Sequence, residues 1–438
     1  MRKINFLIFF GLAINLNALA QPLLSKQEAI GLAMEKNFNI KIAENSIRIA
    51  EGNADKDNFG YKPTVNISAG GNYNLDNSKA SFQDGREVSL NFAASNSLNS
   101  AVNLNYVLFD GYNRKYNLER GQQSVVASQI NARLALESVL FQVFNSYYET
   151  ARIESDYLNL TEILSISKER LERSKVNFEY GKGTSLDVSN AEVDVNTDSI
   201  AVLNQKQLLA NAKHNLNFVL NNNVLADFRV DTNVVFARTL SKDMLLEELV
   251  NENTQILLAK SDIKLSEIDE KLTVTSRLPT VSLNGDYGIN LSNNNPASFL
   301  SRATSNGLTT NLSVSWNVFD GGRRNIQEQN AKIARLSREF NYDLVYQQAI
   351  RDFENAWTTY QNRLEIWNAL KQNVITSRLN FQRSEERYRL GQITSTDFRQ
   401  AQSNLINALT ARNRAKFDAK LSEVQVYNIA GKIQDVEY

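Results

Sequence analysis

The sequence predicts a mainly α-helical protein that contains four amphipathic β-strands and is internally duplicated. Long stretches without proline carry an apolar residue at every third or fourth position, which is typical of helices in a coiled coil. Shorter stretches alternate polar and apolar residues, which is typical of strands with one apolar face. Two of these strands end in Phe-Asp-Gly, at Phe109 and Phe319, and the difference 319 − 109 = 210 indicates a repeat.

Composition excludes several classes of function. The chain has 438 residues with 48 basic and 48 acidic side chains, so its charge does not favour a nucleic-acid partner. It has no cysteine, which excludes disulfides, thiolate metal sites and cysteine nucleophiles. Its single histidine, His214, lies in a helical pattern and is expected on a helix surface. Without a phosphate loop or a metal-ligand cluster, we predict no enzyme, no catalytic residue, no metal and no cofactor.

The first 20 residues have the pattern of a secretory signal peptide. Arg2 and Lys3 form a basic start, Ile4 to Ile14 an apolar segment, and Ala18-Leu19-Ala20 a cleavage site. No later apolar run approaches the roughly 20 residues that a membrane-spanning helix needs. We therefore expect an exported protein that enters a membrane, if at all, without transmembrane helices.

The duplication can be followed along the whole chain. Asn37 and Ile40 match Asn253 and Ile256 at an offset of 216 (253 − 37), as Pro63-Thr64-Val65 matches Pro279-Thr280-Val281. After the strands the offset is 210, which pairs Gly181-x-x-Thr184-Ser185-x-Asp187 with Gly391-x-x-Thr394-Ser395-x-Asp397. The predicted divisions are a signal peptide at 1–20, repeat 1 at 21–221, a connecting segment at 222–240, repeat 2 at 241–431 and a tail at 432–438.

Each repeat has the same predicted order of elements. Repeat 1 begins with one helix from near Ser25 to near Lys56, which ends before Pro63 because proline disfavours a helical residue before it. The strands form hairpins at about 64–109 and 280–319, with polar loops at 76–87 and 292–306. Long helices at 112–180 and 322–390, each about 100 Å long, then lead to return helices at 184–221 and 394–431. Asp110 and Asp320 are placed to cap the starts of the long helices.

Four amphipathic strands allow two interpretations. In a soluble protein the apolar face would pack on a core of the same chain. In an outer membrane it would face lipid, and known bacterial barrels have at least eight strands. Four strands cannot close a barrel, and unpaired edges in lipid cost several kcal/mol for each backbone group. Export favours a transmembrane β-barrel shared by several chains, and three chains would supply twelve strands (3 × 4).

The order of elements, the Val318-Phe319-Asp320-Gly321-Gly322-Arg323-Arg324 string and the paired tip motifs resemble the TolC family of outer-membrane efflux proteins. The resemblance implies a homotrimer in the Gram-negative outer membrane, with a twelve-stranded barrel that continues into a periplasmic helical tunnel. It also implies an exit duct for a tripartite efflux pump or a type I secretion system. The implied partners are a periplasmic adaptor, an inner-membrane transporter of the RND, ABC or MFS type, and outer-membrane lipid.

The resemblance further implies a gate at the helix tips. Tyr388 and Asp187 match residues whose link holds the family's entrance shut, and Asp397 and Gln400 match positions that line the constriction. Ile393 stands where the family can have a basic residue, which removes one ionic lock. The alternative is that Asp187 and Asp397 only cap helices.

Two further groups of residues complete the expected sites. The adaptor-docking tips comprise Gly181, Gly183, Thr184, Gly391, Thr394 and Ser395. The junctions between barrel and helices comprise Pro63, Phe109, Asp110, Gly111, Pro279, Phe319, Asp320 and Gly321. An exported periplasmic adaptor and a structural coiled-coil protein are the competing functions, although the former would have one helical hairpin and the latter would lack the strands.

Overall fold

The computed structural model of the protein describes residues 22–237 and 240–436, so the predicted signal peptide lies outside the described residues. The helices are α1 (Lys26–Lys36), α2 (Phe38–Asn53), α3 (Asn113–Glu179), α4 (Ser185–Val219), α5 (Lys242–Glu252), α6 (Thr254–Thr275), α7 (Arg323–Arg389) and α8 (Ser395–Ile429). The strands are β1 (Leu23–Leu24), β2 (Thr64–Ser81), β3 (Glu87–Phe109), β4 (Arg229–Val230), β5 (Thr280–Asn293) and β6 (Arg302–Ser315). The predicted fold class, mainly helical with antiparallel strands, is confirmed. Among the helices in these ranges, none has the length and apolar character of a membrane span.

The chain forms two compact units, and each contains parts of both repeats. The first unit is made of residues up to Ile40, Leu136–Leu245 and Phe353 onward. The second unit is made of Lys41–Ala135 and Leu246–Asp352. The duplication in sequence therefore does not divide the chain into two separate domains.

The second unit contains an antiparallel sheet with the strand order β2-β3-β5-β6. Val65 lies opposite Leu104 in the first hairpin, and Val281 lies opposite Val314 in the second. Val65 and Val281 are 216 residues apart in the sequence (281 − 65), and Leu104 and Val314 are 210 residues apart (314 − 104). These are the two offsets of the sequence repeat. The two hairpins therefore have the same register.

The loops of both hairpins are shorter than the predicted 76–87 and 292–306. The strands continue to Ser81 and Asn293, so only 82–86 and 294–301 connect them. A bulge between Asp76 and Ser78 lets the β2–β3 ladder extend past the first polar residues. β6, the last strand of the second hairpin, ends at Ser315 rather than near 319 as predicted.

The sheet separates apolar from polar side chains. One face carries Val65, Ile67, Tyr73, Leu75, Leu98, Val102, Leu104, Tyr287, Ile289, Leu291, Leu308, Leu312 and Val314, all of which are exposed in the single chain. The other face carries mainly Asn, Ser and Thr, and the Asn105 amide donates to Asn284 across the β3–β5 pair at 2.8 Å. Ile67 is 78% exposed and Leu308 is 73% exposed, so this chain alone does not cover the apolar face.

The single helix predicted from near Ser25 to near Lys56 is wrong, because the chain has two helices that break at Asn37. Asn37 has extended backbone angles, and its side-chain oxygen accepts a hydrogen bond from the Asn39 amide at 2.8 Å. The side-chain Nδ2 of Asn37 donates to the Val219 carbonyl at 2.8 Å. Repeat 2 has the same break, since Asn253 caps α6 through the Ile256 amide. The aligned asparagines were the signal for this break.

The core of the first unit is aromatic and aliphatic. The Tyr148 ring lies 6.2 Å from the Phe144 and Phe417 rings, which joins α3 to α8. The buried Tyr147 hydroxyl donates to the Leu24 carbonyl at 2.8 Å and accepts from the Asp231 amide at 3.0 Å. Burial raises the pKa of Tyr147, so the hydroxyl keeps the proton that it donates. Tyr147 thereby fixes the chain beside β1 and β4.

Candidate functional site at the helix tips

Both helical hairpins of the first unit turn at a glycine in the left-handed region. Gly181 between α3 and α4 has φ +70°, and Gly391 between α7 and α8 has φ +71°. The Lys182 amide donates to the Asn177 carbonyl at 2.7 Å, and the Gln392 amide donates to the Arg387 carbonyl at 2.9 Å. A side chain at either glycine would meet no heavy atom within 4 Å, so backbone angle alone favours glycine there.

A capping box starts each return helix. The Thr184 amide donates to Asp187 Oδ2 at 3.0 Å, and the Asp187 amide donates to Thr184 Oγ1 at 3.2 Å. Thr394 and Asp397 repeat this arrangement at 3.2 Å and 3.1 Å. The threonine hydrogen bonds lower the pKa of both carboxyl groups, so both are ionised at neutral pH. Helix capping, which was the alternative to a gate role, therefore accounts for the contacts of these two residues within one chain.

The Tyr388–Asp187 pair expected from the resemblance is not formed within the described chain. The Tyr388 ring stacks on Phe398 at 5.1 Å with an interplanar angle of 3°, and its hydroxyl lies 3.4 Å from Ser174 Oγ. The Asp187 carboxylate is bound to Thr184 instead. The flat stacking on Phe398 and the capping box thus give each residue another partner.

The two positions that differ from the family pattern have partners of their own. Ile393 packs, as Ile166 and Tyr388 do, against an apolar cluster of α7 and α8 that consists of Val374, Phe381, Phe398, Leu405, Ala408 and Leu409. Gln400 is exposed, and its amide donates to Asn404 at 3.0 Å. Asp397 is exposed on the same helix. The two positions that the resemblance assigns to a constriction therefore offer one carboxylate and one amide in this chain.

A charged network behind the tips was not predicted from the sequence. The Arg399 guanidinium donates to both oxygens of Asp198 at 2.8 Å and lies 3.3 Å from Asp194. Arg170 pairs with Asp194 from the other side. The only signal in the sequence was the spacing of four between Asp194 and Asp198, which places both carboxylates on one face of α4. Their partners come from α3 and α8 and could not be assigned from spacing.

The junction residues of the second unit anchor the long helices to the sheet. Asp110 accepts a hydrogen bond from the Arg114 amide at 2.8 Å, and Asp320 accepts one from the Arg324 amide at 3.0 Å. Gly111 and Gly321 follow them with φ +68° and φ +73°. Pro63 and Pro279 each precede a strand, β2 and β5, while Phe109 ends β3 opposite Val281. Phe319 follows β6 and is 82% exposed.

Comparison with known families gives one match over most of the chain. The family model described as "Outer membrane efflux protein" matches residues 29–222 and 245–432. The outer membrane efflux protein BepC of Brucella suis is 21% identical over 408 residues, covering 92% of this chain and 85% of that protein. The outer membrane protein TolC of Vibrio cholerae is 21% identical over 380 residues, covering 85% of this chain and 83% of that protein.

Solved structures of outer membrane channels have the same fold. The CmeC channel of Campylobacter jejuni matches with a TM-score of 0.75 at 16% identity, covering 93% of this chain and 86% of that chain. The MtrE channel of Neisseria gonorrhoeae, solved in its open state, matches with a TM-score of 0.71 at 17% identity, covering 93% and 89%. The long helical hairpins and the four-stranded sheet are therefore features of a known channel fold.

Proposed function

The chain belongs to the outer membrane efflux protein family, and we propose that three copies of it form the gated exit duct of a tripartite efflux pump or a type I secretion system. As a member of this family it is a Gram-negative outer-membrane channel protein with a periplasmic helical part and is not an enzyme. In our proposal an inner-membrane transporter of the RND, ABC or MFS type passes substrate to the duct through a periplasmic adaptor. Outer-membrane lipid surrounds the shared barrel.

The observation that carries this proposal is the sheet with two open edges and an exposed apolar face. β2 and β6 are its outer strands, and in lipid their unpaired backbone groups would each cost several kcal/mol. The four strands alternate in direction, so β6 of one copy is antiparallel to β2 of the next. Copies can therefore be added edge to edge until an antiparallel barrel closes, with the Asn- and Ser-rich face inward.

The duplication predicts the register between copies. Within one chain β3 pairs with β5, and Leu104 lies opposite Gly285. At the repeat offsets, the counterpart of Leu104 in repeat 2 is Val314 (104 + 210), and the counterpart of Gly285 in repeat 1 is Ala69 (285 − 216). We therefore expect Val314 of one copy to lie opposite Ala69 of the next.

The exposure of equivalent residues supports the same contact. Phe109 is half-buried because β5 of the same chain lies beside it, whereas its counterpart Phe319 is 82% exposed. Trp316 and Val318 are 59% and 71% exposed at the same end of β6. In the proposed trimer, β2 of the next copy lies beside them as β5 lies beside Phe109.

Cross-linking in the outer membrane tests the trimer and its register. The natural chain has no cysteine, so a Val314→Cys/Ala69→Cys variant has no background thiols. Because β2 and β6 are opposite edges of one sheet, these cysteines can only meet between copies. We expect oxidation to give covalent dimers and trimers on a non-reducing gel, because directly opposed Cβ atoms lie about 4.5–5.5 Å apart.

A matched control places the second cysteine on the other face of β2, as Val314→Cys/Ser68→Cys, and should give far less cross-linked product. Each single-cysteine variant can give dimers at most. Monomers only from the Val314→Cys/Ala69→Cys variant, together with extraction from cells without detergent, would overturn the trimeric barrel.

In this trimer the tips contribute three Asp397 carboxylates to the entrance. The residue is exposed and ionised, and Gln400 adds no charge beside it. We expect Asp397→Asn to lower the preference for potassium over chloride in planar bilayers by about twofold or more, because three negative charges leave the constriction. The asparagine side-chain oxygen can still accept from the Thr394 amide, so the turn itself should persist.

The control for this measurement is Asp187→Asn, which makes the same change in the other capping box. The contacts of Asp187 are those of a helix cap at the other hairpin, and we place it outside the ion path, so its replacement should leave ion preference near that of the wild type. An Asp397→Asn channel with unchanged ion preference would contradict the entrance ring.

The tip turns themselves, at Gly181, Gly183, Thr184, Gly391, Thr394 and Ser395, are the surface that we assign to adaptor docking.

A further inference from the structure

Several polar contacts join the two helical hairpins behind their tips. Arg399 of α8 binds Asp194 and Asp198 of α4, with distances of 3.3 Å and 2.8 Å. The Gln402 amide of α8 donates to Ser167 of α3 at 2.8 Å. Closer to the tips, Arg389 of α7 lies 3.6 Å from Glu169 of α3. These contacts are all between α3–α4 of repeat 1 and α7–α8 of repeat 2, within the first unit.

The centre of this network is buried. Asp198 is 6% exposed, and Ser167 and Gln402 are fully buried. Ser167 also donates to Asp198 Oδ2 at 2.5 Å, so this carboxylate is held by a hydroxyl and by the Arg399 guanidinium. Arg170 is 3% exposed and pairs with Asp194, while its Nε and Nη1 find no acceptor among the described residues. An arginine buried in this way needs its remaining carboxylate partner in place.

We propose that Arg399, Asp194 and Asp198 form a charged latch that holds the second hairpin against the first and keeps the entrance closed. The inference rests on the proposed function, since it assigns the closing contact of that gate. Ile393 cannot supply an ionic link at the tip itself. The latch supplies one about two helical turns further in, eight residues after Gly391 (399 − 391), where the charges are shielded from water.

The latch favours the closed entrance because its charges are desolvated only when the hairpins touch. If the second hairpin moves away, Asp194, Asp198 and Arg399 regain water. Removing Arg399 alone leaves a buried Asp198 carboxylate without its cation in the closed state only. The closed state then loses stability relative to the open state, and the open population rises.

Single-channel recording of the purified protein in planar bilayers tests the latch. We expect Arg399→Gln to raise the open fraction by about tenfold, and the isosteric Asp198→Asn variant to raise it in the same direction. The matched control is Arg383→Gln, which removes an exposed arginine on α7 that makes no ion pair among the described residues. It should behave as the wild type does.

The outcomes separate the latch from the duct. A wild-type protein that forms no channels overturns the proposed duct and the latch with it. Wild-type channels whose open fraction is unchanged in Arg399→Gln and in Asp198→Asn overturn the latch alone. Restored closure in an Asp198→Arg/Arg399→Asp double variant, after opening in each single variant, establishes that the pair acts through its mutual contact.

Discussion

Replacing Gly111 by alanine is expected to destabilise the junction between sheet and helix by about 3–5 kcal/mol. Gly111 has φ +68°, a conformation that costs an L-residue roughly 1–2 kcal/mol. A Cβ atom there would also lie 2.7 Å from the Thr275 carbonyl oxygen and 2.8 Å from Leu278 Cβ. The end of α6 must move to make room, and a backbone carbonyl cannot rotate away as a flexible side chain can.

The apparent melting temperature of the detergent-extracted protein, followed by circular dichroism at the helical minimum, measures this effect. Gly85→Ala is the matched control, because Gly85 has φ +86° in the β2–β3 turn and nothing within 4 Å of the added Cβ. It should lose only the cost of the backbone angle. If the two variants have the same apparent melting temperature, the close approach to α6 contributes nothing to the destabilisation, and the steric argument fails.

The face of the sheet on which each hairpin residue lies could be predicted, because this information is local. Alternation sets which face each residue lies on, and the shared Pro-Thr-Val and Phe-Asp-Gly sequences set the offsets of 216 and 210 that the strand pairs reproduce. The break at Asn37 was also encoded locally. It was missed because the apolar pattern continues across it, from Ile30 to Ile40, while a capping asparagine interrupts the backbone.

Less of the candidate site could be predicted from the sequence. The turns at Gly181 and Gly391 and their capping boxes follow from motifs a few residues long. Arg399 binds Asp198, which is 201 residues away in the sequence (399 − 198), and no periodicity relates the two positions. Tyr388 was assigned to Asp187 by resemblance, and its actual neighbours are Phe398 and Ser174. Contacts between hairpins depend on how four helices pack, which a helical pattern leaves open.

A second large effect is expected from Lys420→Met, since Lys420 and Glu423 form a fully buried ion pair at 2.7 Å on α8. The Ala237 amide lies 3.4 Å from the same carboxylate oxygen of Glu423. Burial and the Glu423 charge raise the pKa of Tyr360 nearby to about 12, so that hydroxyl stays neutral and cannot replace the cation. Removing the lysine takes a cation from beside a buried carboxylate, and we expect a loss of about 3–5 kcal/mol at neutral pH.

The double variant Lys420→Met/Glu423→Gln separates the cost of an uncompensated charge from the cost of lost packing. Glutamine keeps the shape of glutamate and can still accept from Ala237, so most of the loss should be recovered. A loss that the second substitution does not reduce would mean that Lys420 acts through packing of its aliphatic stem.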